Sequence, residues 1–293
     1  MQPVIAEAET RFGRRGPTRA GRLARWCLSA SLLVALGMGF VVGRRLAVRR
    51  IDVPLGLREP VRLAVLSDFH LGARESGADM SRRALSEAAA CRPDAILLAG
   101  DFVASQAGIA RIPGVFHGIR APLGVYAVLG NHDHWSGSRA VEAALQSSGV
   151  HVLMNQGVEL RKGRARLALV GVDDVWTGRF RWAAAWRGVP RGVPVVLLSH
   201  NPDAALTPAG QRAALIASGH THGGTIRMPW LVYRISRRLT GFGLISHSKY
   251  GTRHPYGLMR EKWGWVYVTS GVTPGCAPPR WYTRPEVAVV EVR

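Results

Sequence analysis

Short apolar runs recur along the chain from residue 61 onward, and polar residues that are not typical turn formers follow each of them. Runs of this length, rich in Val, Ile and Leu, are typical of buried strands. Apolar residues at helical spacing occupy 79–91 and 138–149 between them. This alternation predicts an α/β sheet, in which ligands collect beyond the carboxyl ends of the strands. The apolar runs are 63–67, 95–99, 125–129, 195–199 and 215–218.

One apolar run differs from the others because it is longer and has arginines on both sides. Residues 26–42 carry no charge. The length of this uncharged run is at the lower limit of what a helix needs to cross a bilayer. We predict a retained transmembrane anchor here, with a cleaved signal peptide or a buried core helix as the alternatives. The chain then divides into a basic tail (1–25), the anchor (26–42), a linker (43–60) and one globular domain (61–293).

The charge of the chain is strongly positive. Lysine and arginine number 39 against 19 acidic residues, which gives a formal net charge of +20. Such a charge suits nucleic acid, a phosphorylated substrate or an acidic lipid surface as a partner, and codon bias in a GC-rich genome is the alternative cause. The three cysteines, Cys27, Cys91 and Cys276, match neither a disulfide framework nor a zinc-binding spacing, which favours a reducing compartment.

The polar residues after the apolar runs form five short motifs: D-F-H, G-D, G-N-H-D, a single histidine and G-H-T-H. They supply oxygen and imidazole ligands without a thiolate, a mixture that suits Mn, Fe(II) or Zn better than Ca or Mg. Seven ligands exceed what one ion with an open position needs, so they predict two ions that share a carboxylate. In D-x-H and H-x-H, an extended backbone would project both side chains to one side. The candidate ligands are Asp68, His70, Asp101, Asn131, His200, His220 and His222.

The ordered set of motifs resembles that of the calcineurin-like metallophosphoesterase superfamily over residues 61–293. The run GHTHGG at 219–224, together with the preceding apolar segment, is similar to the membrane-associated bacterial branch of that superfamily. The resemblance implies a four-layer αββα sandwich built on two mixed β-sheets. It also implies an enzyme that hydrolyses phosphate esters or pyrophosphates with two divalent metal ions, manganese first and iron or zinc as alternatives.

The resemblance further implies which residues share each ion. Asp101 would bridge both ions. The ligands of the first ion would be Asp68, His70 and His222. The ligands of the second ion would be Asn131, His200 and His220.

The third motif also carries the implied acid of the reaction. Two ions lower the pKa of a shared water molecule so that hydroxide forms near neutral pH and attacks the phosphorus in line. His132 would lie over the phosphate as the acid for the leaving group or as a charge stabiliser. Asp133 would orient His132.

Several residues near the motifs depart from the family pattern or lie outside it. Asp101 precedes Phe-Val-Ala-Ser-Gln rather than the aspartate-arginine-glycine run of protein phosphatases, which disfavours a protein substrate. His134 directly follows the third motif, and we predict an ordinary surface histidine. Asp173 and Asp174 end another apolar run, and we predict that they are turn residues.

A basic segment directly follows the last motif. Residues 223–262 contain eight basic residues, one acidic residue and several aromatic ones. Such a mixture predicts contact with an anionic membrane surface, with a solvated face or nucleic-acid contact as the alternatives. The anchor favours lipid, because a tethered enzyme meets lipid headgroups at high effective concentration. Nucleic acid is therefore not an expected partner.

These observations together predict hydrolysis of a phosphodiester or pyrophosphate in an amphiphilic, lipid-linked substrate. Family likeness favours UDP-2,3-diacylglucosamine, a lipid A precursor, with release of UMP. The alternatives are a broad-specificity phospholipid or cell-envelope phosphodiesterase, a nuclease, and a non-catalytic membrane scaffold, which the intact motifs disfavour. The expected location is the bacterial inner membrane, with the cytoplasmic face favoured for the catalytic domain.

Overall fold

A computed structural model describes residues 19–72, 75–177, 179–224, 253–273, 280 and 283–293. The chain forms two compact units, Met1–Met38 and Gly39–Arg293. Helix α1, Arg19–Gly43, contains the uncharged run 26–42. Within the described ranges, none of the helices combines the length and the apolar character that crossing a bilayer requires. The membrane anchor therefore stays a prediction.

The range 43–60 is not a linker throughout. Ala47–Val53 form strand β1, which pairs in parallel with the C-terminal strand β12, Glu286–Val292. Ile51 and Val53 pack in an apolar cluster of the core, whereas the centre of β1 carries exposed arginines. The predicted linker is therefore wrong over 47–53. Its strand was missed because adjacent arginines interrupt the apolar pattern and its partner lies at the other end of the chain.

The first sheet has six strands in the order β1-β12-β2-β3-β4-β5. Strands β2 to β5 run parallel to one another, and β12 is antiparallel to β2. Three of these strands coincide with predicted apolar runs. The bounds are Val61–Leu66 for β2, Ala95–Ala99 for β3, Val125–Val128 for β4 and His151–Val152 for β5.

The second sheet also has six strands, in the order β10-β11-β9-β8-β7-β6. Its four inner strands run parallel, and the edge strands β6 and β10 are antiparallel to their neighbours. Both sheets are therefore mixed, as predicted. The bounds are Gln156–Lys162 for β6, Ala165–Gly171 for β7, Val195–Leu198 for β8, Leu215–Ser218 for β9, Gly257–Arg260 for β10 and Trp265–Val268 for β11.

Three apolar clusters separate the layers of the fold. Successive side chains of a strand point to opposite faces, so Leu63 and Leu97 pack toward the second sheet while Ala64 and Leu98 pack toward helices. The third cluster covers the outer face of the second sheet with short helical turns rather than long helices. The helices are Glu75–Ala90 (α2), Ile112–Phe116 (α3), Asn131–Ser147 (α4) and Trp182–Ala185 (α5).

Candidate metal centre

All five motifs lie where a parallel strand ends. Asp68, Asp101 and Asn131 follow β2, β3 and β4 of the first sheet, whereas His200 and His220 follow β8 and β9 of the second. The carboxyl ends of parallel strands share one edge of a sheet, where ligands collect. The contacts described next join residues from both sheets, so the centre is formed jointly by the two edges.

The motif residues adopt an uncommon backbone conformation. Among the described non-glycine residues, seven have a positive φ, and five of these belong to the motifs. The left-handed region costs a non-glycine residue about 1–2 kcal/mol, and such strain collects at functional sites. The D-x-H and H-x-H pairs are therefore turns, not the extended segments that their spacing predicted. The five residues are Asp68, His70, Asp101, His220 and His222.

Two motif glycines allow the close approach of the ligands. A Cβ on Gly130 would lie 2.8 Å from Cδ2 of His200 and would overlap Asp101. A Cβ on Gly219 would lie 2.7 Å from Oδ2 of Asp68. Since both contacts are shorter than side chains tolerate, glycine is required at these positions for the motifs to meet.

The first group of ligand atoms joins the first and last motifs. Nε2 of His70 lies 3.2 Å from Nε2 of His222, and Oδ1 of Asp68 lies 3.5 Å from Nε2 of His222. Ligand atoms about 2 Å from one ion are about 3–3.5 Å apart. Oδ1 of Asp68 is buried without a hydrogen-bond partner, which is costly unless a cation satisfies it. These residues fit a bound metal ion.

The second group joins the third, fourth and fifth motifs. Nδ1 of His220 lies 3.1 Å from Oδ1 of Asn131 and 3.3 Å from Nε2 of His200. Nε2 of His200 in turn lies 3.3 Å from Oδ2 of Asp101. The spacing again matches the separation of ligands around one ion, so this group also fits a metal.

Asp101 connects the two groups through one oxygen. Its Oδ2 lies 3.5 Å from Nε2 of His70 in the first group and 3.3 Å from Nε2 of His200 in the second. Its Oδ1 accepts a hydrogen bond of 2.9 Å from the backbone N–H of His132. One carboxylate oxygen is therefore positioned for both ions while the other fixes the third motif.

Hydrogen bonds to carbonyl oxygens set the tautomers of two histidines. Nδ1 of His200 donates to the carbonyl of Ala99 at 2.7 Å, and Nδ1 of His222 donates to that of Thr273 at 3.1 Å. Because a carbonyl can only accept, Nδ1 carries the proton in both rings. The lone pair of each Nε2 is then directed at the centre, as a metal ligand requires.

Burial keeps three of the candidate histidine ligands neutral. It lowers the pKa of His70 to about 3. Burial, followed by repulsion from His200, lowers the pKa of His220 to about 4. Burial also lowers the pKa of His222. Neutral imidazole is the form that binds a metal, so these rings are ready to act as ligands near neutral pH.

The carboxylates of the centre stay ionised and attract positive charge. Burial raises the pKa of Asp68 and Asp101, but neighbouring histidines outweigh it and hold both pKa values below the ordinary range. Burial lowers the pKa of His200, yet attraction to Asp101 and Asp68 raises it to about 10. The carboxylates thus attract positive charge to Nε2 of His200, the position where a metal ion would take the place of a proton.

Asp133 does not orient the ring of His132, contrary to the prediction. Its Oδ1 accepts hydrogen bonds from the backbone N–H groups of Phe102 at 2.8 Å and Val103 at 3.1 Å, and its Oδ2 accepts one from Gly130 at 2.9 Å. Backbone donors therefore occupy both carboxylate oxygens. Asp133 holds the second motif against the third, and it acts on His132 only through the backbone.

The ring of His132 lies beside the first group of ligand atoms. Its centroid is 4.7 Å from that of His70, with the rings nearly perpendicular. Ligand atoms of His70, Asp101 and His132 lie within 4.8 Å of one another. His132 is half-buried, so it can reach a group bound at the centre from the solvent side.

A sixth segment also supports the centre, and its role was not predicted from the sequence. After β11, the N–H groups of Val272 and Thr273 donate to the carbonyls of Ser67 at 2.8 Å and Asp68 at 2.9 Å. Thr273 also accepts the hydrogen bond from His222. The signal was present, because polar residues follow the apolar run 265–268 just as they follow the other five runs.

His134 and Asp173 form a buried pair, which corrects the prediction for His134. Nε2 of His134 lies 2.6 Å from Oδ1 of Asp173, and their side chains are only 3% and 2% exposed. His134 is therefore not a surface histidine. Asp173 and the neighbouring Asp174 are buried at the end of β7, next to β8, and Asp174 begins a turn by accepting a hydrogen bond from the N–H of Thr177. The local sequence did not show that α4 and this strand end meet.

Most of the basic segment lies outside the described residues, which omit 225–252. Of its remaining basic residues, Arg253 pairs with Glu261 at 2.8 Å, and the guanidinium of Arg260 lies 4.5 Å from the ring centroid of Trp265. The predicted membrane contact of this segment stays a prediction.

The similarity of the chain to known proteins includes the residues of the metal centre. The sequence pattern of the family described as calcineurin-like phosphoesterase matches residues 61–224, which is more than half of the chain and includes all five motifs. The chain belongs to this family. It is accordingly a metal-dependent phosphoester hydrolase. Metallophosphoesterases use a dimetal centre, and the two groups of ligand atoms joined by Asp101 agree with that arrangement.

Three metallophosphoesterases of bacteria are similar to the chain. The uncharacterized metallophosphoesterase YkuE of Bacillus subtilis is 28% identical and aligns over 69% of this chain and 68% of its own length. The phosphodiesterase YaeI of Escherichia coli is 27% identical over 80% and 82%. The UDP-2,3-diacylglucosamine pyrophosphatase LpxG of Chlamydia muridarum is 24% identical over 78% and 83%.

Proposed function

We propose that this chain hydrolyses a phosphodiester or pyrophosphate bond with two divalent metal ions held by the five motifs. The observation that supports this most is the position of Oδ2 of Asp101, within 3.5 Å of a ligand nitrogen in each group. When bound, two such ions supply positive charge that activates a water molecule and stabilises the phosphoryl oxygens.

The distances between ligand atoms support the assignment of residues to the two ions. Asp101 would hold both ions, because its Oδ2 lies near a ligand nitrogen of each group. Oxygen and imidazole donors without thiolate suit Mn first, and Fe or Zn fit the same set. The ligands of the first ion are Asp68, His70 and His222. The ligands of the second ion are Asn131, His200 and His220.

His132 is the proposed acid of the reaction. Its backbone is fixed by the hydrogen bond from its N–H to Asp101, and its ring lies beside His70 without being fully buried. From this position the imidazole donates a proton to the leaving oxygen of the substrate, a common role of histidine in general acid catalysis. Asp133 contributes by holding the second motif against the third motif, which carries this ring.

Similarity to relatives supports the substrate class. YaeI is named a phosphodiesterase, and LpxG is named a UDP-2,3-diacylglucosamine pyrophosphatase. We propose a lipid-linked phosphodiester or pyrophosphate as substrate, with UDP-2,3-diacylglucosamine in lipid A synthesis as the leading candidate and UMP as a product. A broad-specificity phospholipid or cell-envelope phosphodiesterase is the second candidate, because the YaeI name specifies no substrate.

A substrate comparison tests the function. Full-length protein loaded with Mn²⁺ is incubated with UDP-2,3-diacylglucosamine, with anionic phospholipid vesicles, with bis(4-nitrophenyl) phosphate and with single-stranded DNA. We expect UMP release from the first to have the highest kcat/KM, and chelation to abolish all activity until Mn²⁺ is restored. Faster cleavage of phospholipid would favour the second candidate, and faster cleavage of DNA would favour a nuclease. Hydrolysis that persists in chelator would refute the metal mechanism.

We also propose an N-terminal anchor at 26–42 in the bacterial inner membrane and contact of the basic segment with anionic lipid. The sequence supports this, because each basic residue near an acidic surface contributes about 1 kcal/mol, an attraction that salt screens. The test is vesicle binding by full-length protein in which Arg234, Arg237 and Arg238 are all replaced by glutamate. The matched control replaces three exposed arginines elsewhere, Arg164, Arg187 and Arg191.

The expected result is that reversal in the basic segment raises KM for lipid-linked substrate in anionic vesicles, while the control variant does not. Cleavage of bis(4-nitrophenyl) phosphate should stay unchanged in both variants. Equal loss on both substrates in the first variant would instead make this segment a structural part of the active site.

A further inference from the structure

Two exposed tryptophans lie beside the metal centre. Within the described part of Gly39–Arg293, the exposed tryptophans are Trp135, at 65% exposure, and Trp176, at 44%. Large apolar side chains are rarely left exposed without a function when they cluster around a site. Each of the two indoles contacts a histidine of the centre, so their position is tied to the chemistry rather than scattered over the surface.

The two indoles contact different parts of the centre. The Trp135 ring is 4.9 Å from the ring of His132, the proposed acid, with the planes inclined by 57°. The Trp176 ring is 4.9 Å from the ring of His220, with the planes inclined by 78°. A phosphoryl group bound between the ions and His132 would therefore have an indole adjacent to its acid and another adjacent to a second-ion ligand.

The segments that carry the indoles are held together by buried contacts. Trp135 follows His134 on α4, and the hydrogen bond of His134 to Asp173 joins α4 to the end of β7. Beyond Asp173, a turn is closed because Oδ2 of Asp174 accepts a hydrogen bond of 3.0 Å from the N–H of Thr177. Trp176 lies within this turn. The backbone segments that carry both tryptophans are thus held by hydrogen bonds between buried residues.

We propose that Trp135 and Trp176 form a subsite that binds a flat aromatic ring of the substrate, of the nucleobase type, next to the phosphate that is attacked. An exposed indole offers a planar face on which any base can stack, largely independent of its sequence identity. Rigid aromatic side chains also lose little conformational entropy on binding. This inference rests on the proposed function to the extent that it requires a phosphate at the centre.

The subsite is tested by direct binding, independent of turnover. Isothermal titration calorimetry of full-length, Mn²⁺-loaded protein measures the Kd of UMP, ribose 5-phosphate, octyl phosphate and inorganic phosphate. UMP and ribose 5-phosphate share the sugar and the phosphate, so their difference reports the base. From the usual strength of base stacking, UMP should bind about tenfold more tightly than ribose 5-phosphate or better.

Variants of the two tryptophans assign that difference to the indoles. The double variant Trp135→Ala/Trp176→Ala should bind UMP and ribose 5-phosphate equally, and the double phenylalanine variant should restore most of the preference for UMP. Leu206→Ala is the control, because Leu206 is similarly exposed, at 47%, and has no ring to stack. The metal content of each variant is measured alongside, since Trp176 contacts His220.

The outcomes separate this inference from the proposed function. Equal binding of UMP and ribose 5-phosphate by the native protein would overturn the subsite, even if the enzyme hydrolyses its substrate. Loss of inorganic phosphate binding or of metal in the alanine variant, without selective loss of UMP, would make the indoles structural supports and also overturn it. A larger indole-dependent gain for octyl phosphate than for UMP would assign the surface to an alkyl chain instead. Selective UMP binding without any hydrolysis would uphold the subsite and refute the function.

Discussion

The two proposed ion sites differ in charge although they share a carboxylate. The first site combines two carboxylates, Asp68 and Asp101, with two neutral imidazoles. The second site has only the shared Asp101 as an anionic ligand, because its other oxygen comes from the uncharged amide of Asn131. At such short range one extra negative charge dominates the attraction for a divalent cation. The first site should therefore hold its ion more tightly than the second.

The two sites also differ in how the fold supports them. His200 of the second site is fixed directly to strand β3 through the carbonyl of Ala99. The first site depends on the loop after β11, where Thr273 binds both the Asp68 segment and His222. The second site is thus held by a regular strand and the first by a loop. Charge therefore favours tight ion binding at the first site, whereas rigidity favours it at the second. Mutations that change one property at a time can separate the two contributions.

The largest expected effect follows from replacing the residue that both sites share. Asp101→Asn removes the negative charge from the bridging position, so it should lower the occupancy of both ions and abolish measurable hydrolysis. His222→Ala is the matched variant, because it removes a ligand from the first site alone. Metal content after dialysis and kcat/KM check the prediction. If the two variants lost similar metal and activity, Asp101 would not serve both sites.

Loss of the proposed acid should impair turnover without disturbing either site. His132→Ala should retain two ions per chain and lower kcat by roughly 10²–10⁴-fold, the usual contribution of general acid catalysis. The loss should be smaller for nitrophenyl esters, because nitrophenolate leaves without a proton. The measurement is kcat across a series of leaving groups. A uniform loss across the series would show that His132 stabilises phosphate charge instead.

Moving one negative charge from the first site to the second should reverse the order in which the sites release their ions. In the native protein the second site should release its ion first. Asn131→Asp adds an anionic ligand to the second site, whereas Asp68→Asn removes one from the first. Each change should shift the affinity of its own site by at least the roughly 10–100-fold associated with losing a partner of a metal ligand. Stepwise metal release against a competing chelator checks this. An unchanged order of release would mean that rigidity, not charge, decides affinity.

The smallest expected effect concerns the loop that supports the first site. Thr273→Val keeps the shape of the side chain but removes the hydroxyl that donates to the carbonyl of Phe69 at 2.9 Å. The free energy of unfolding should fall by about 1 kcal/mol, the net contribution of a typical hydrogen bond. Affinity for the first ion should decrease slightly while that for the second stays constant. Denaturant unfolding and metal titration measure both, and equal weakening of both ions would contradict a loop-specific role.

The sequence by itself determined which residues meet and in which kind of fold. Apolar runs of strand length and the helical spacing between them predicted the parallel strands, because burial imposes those patterns locally. The polar residues that end five runs were visible as motifs, and the structure brings Asp68, Asp101 and His220 together from the edges of the two sheets. Within each sheet, the proximity of the motifs follows from parallel strand direction, which the alternation of elements already indicates.

Only the tertiary structure decided how those residues are held and what surrounds them. The strand at 47–53 pairs with the far end of the chain, and the pair of His134 and Asp173 joins residues 39 positions apart, so neither leaves a local signal. The left-handed turns at the motifs replace the expected extended backbone. Packing against Asp68, Asp101 and His200 leaves space for glycine alone at Gly130 and Gly219. Partners, tautomers and strain arise from contacts between distant segments, which spacing along one chain does not encode.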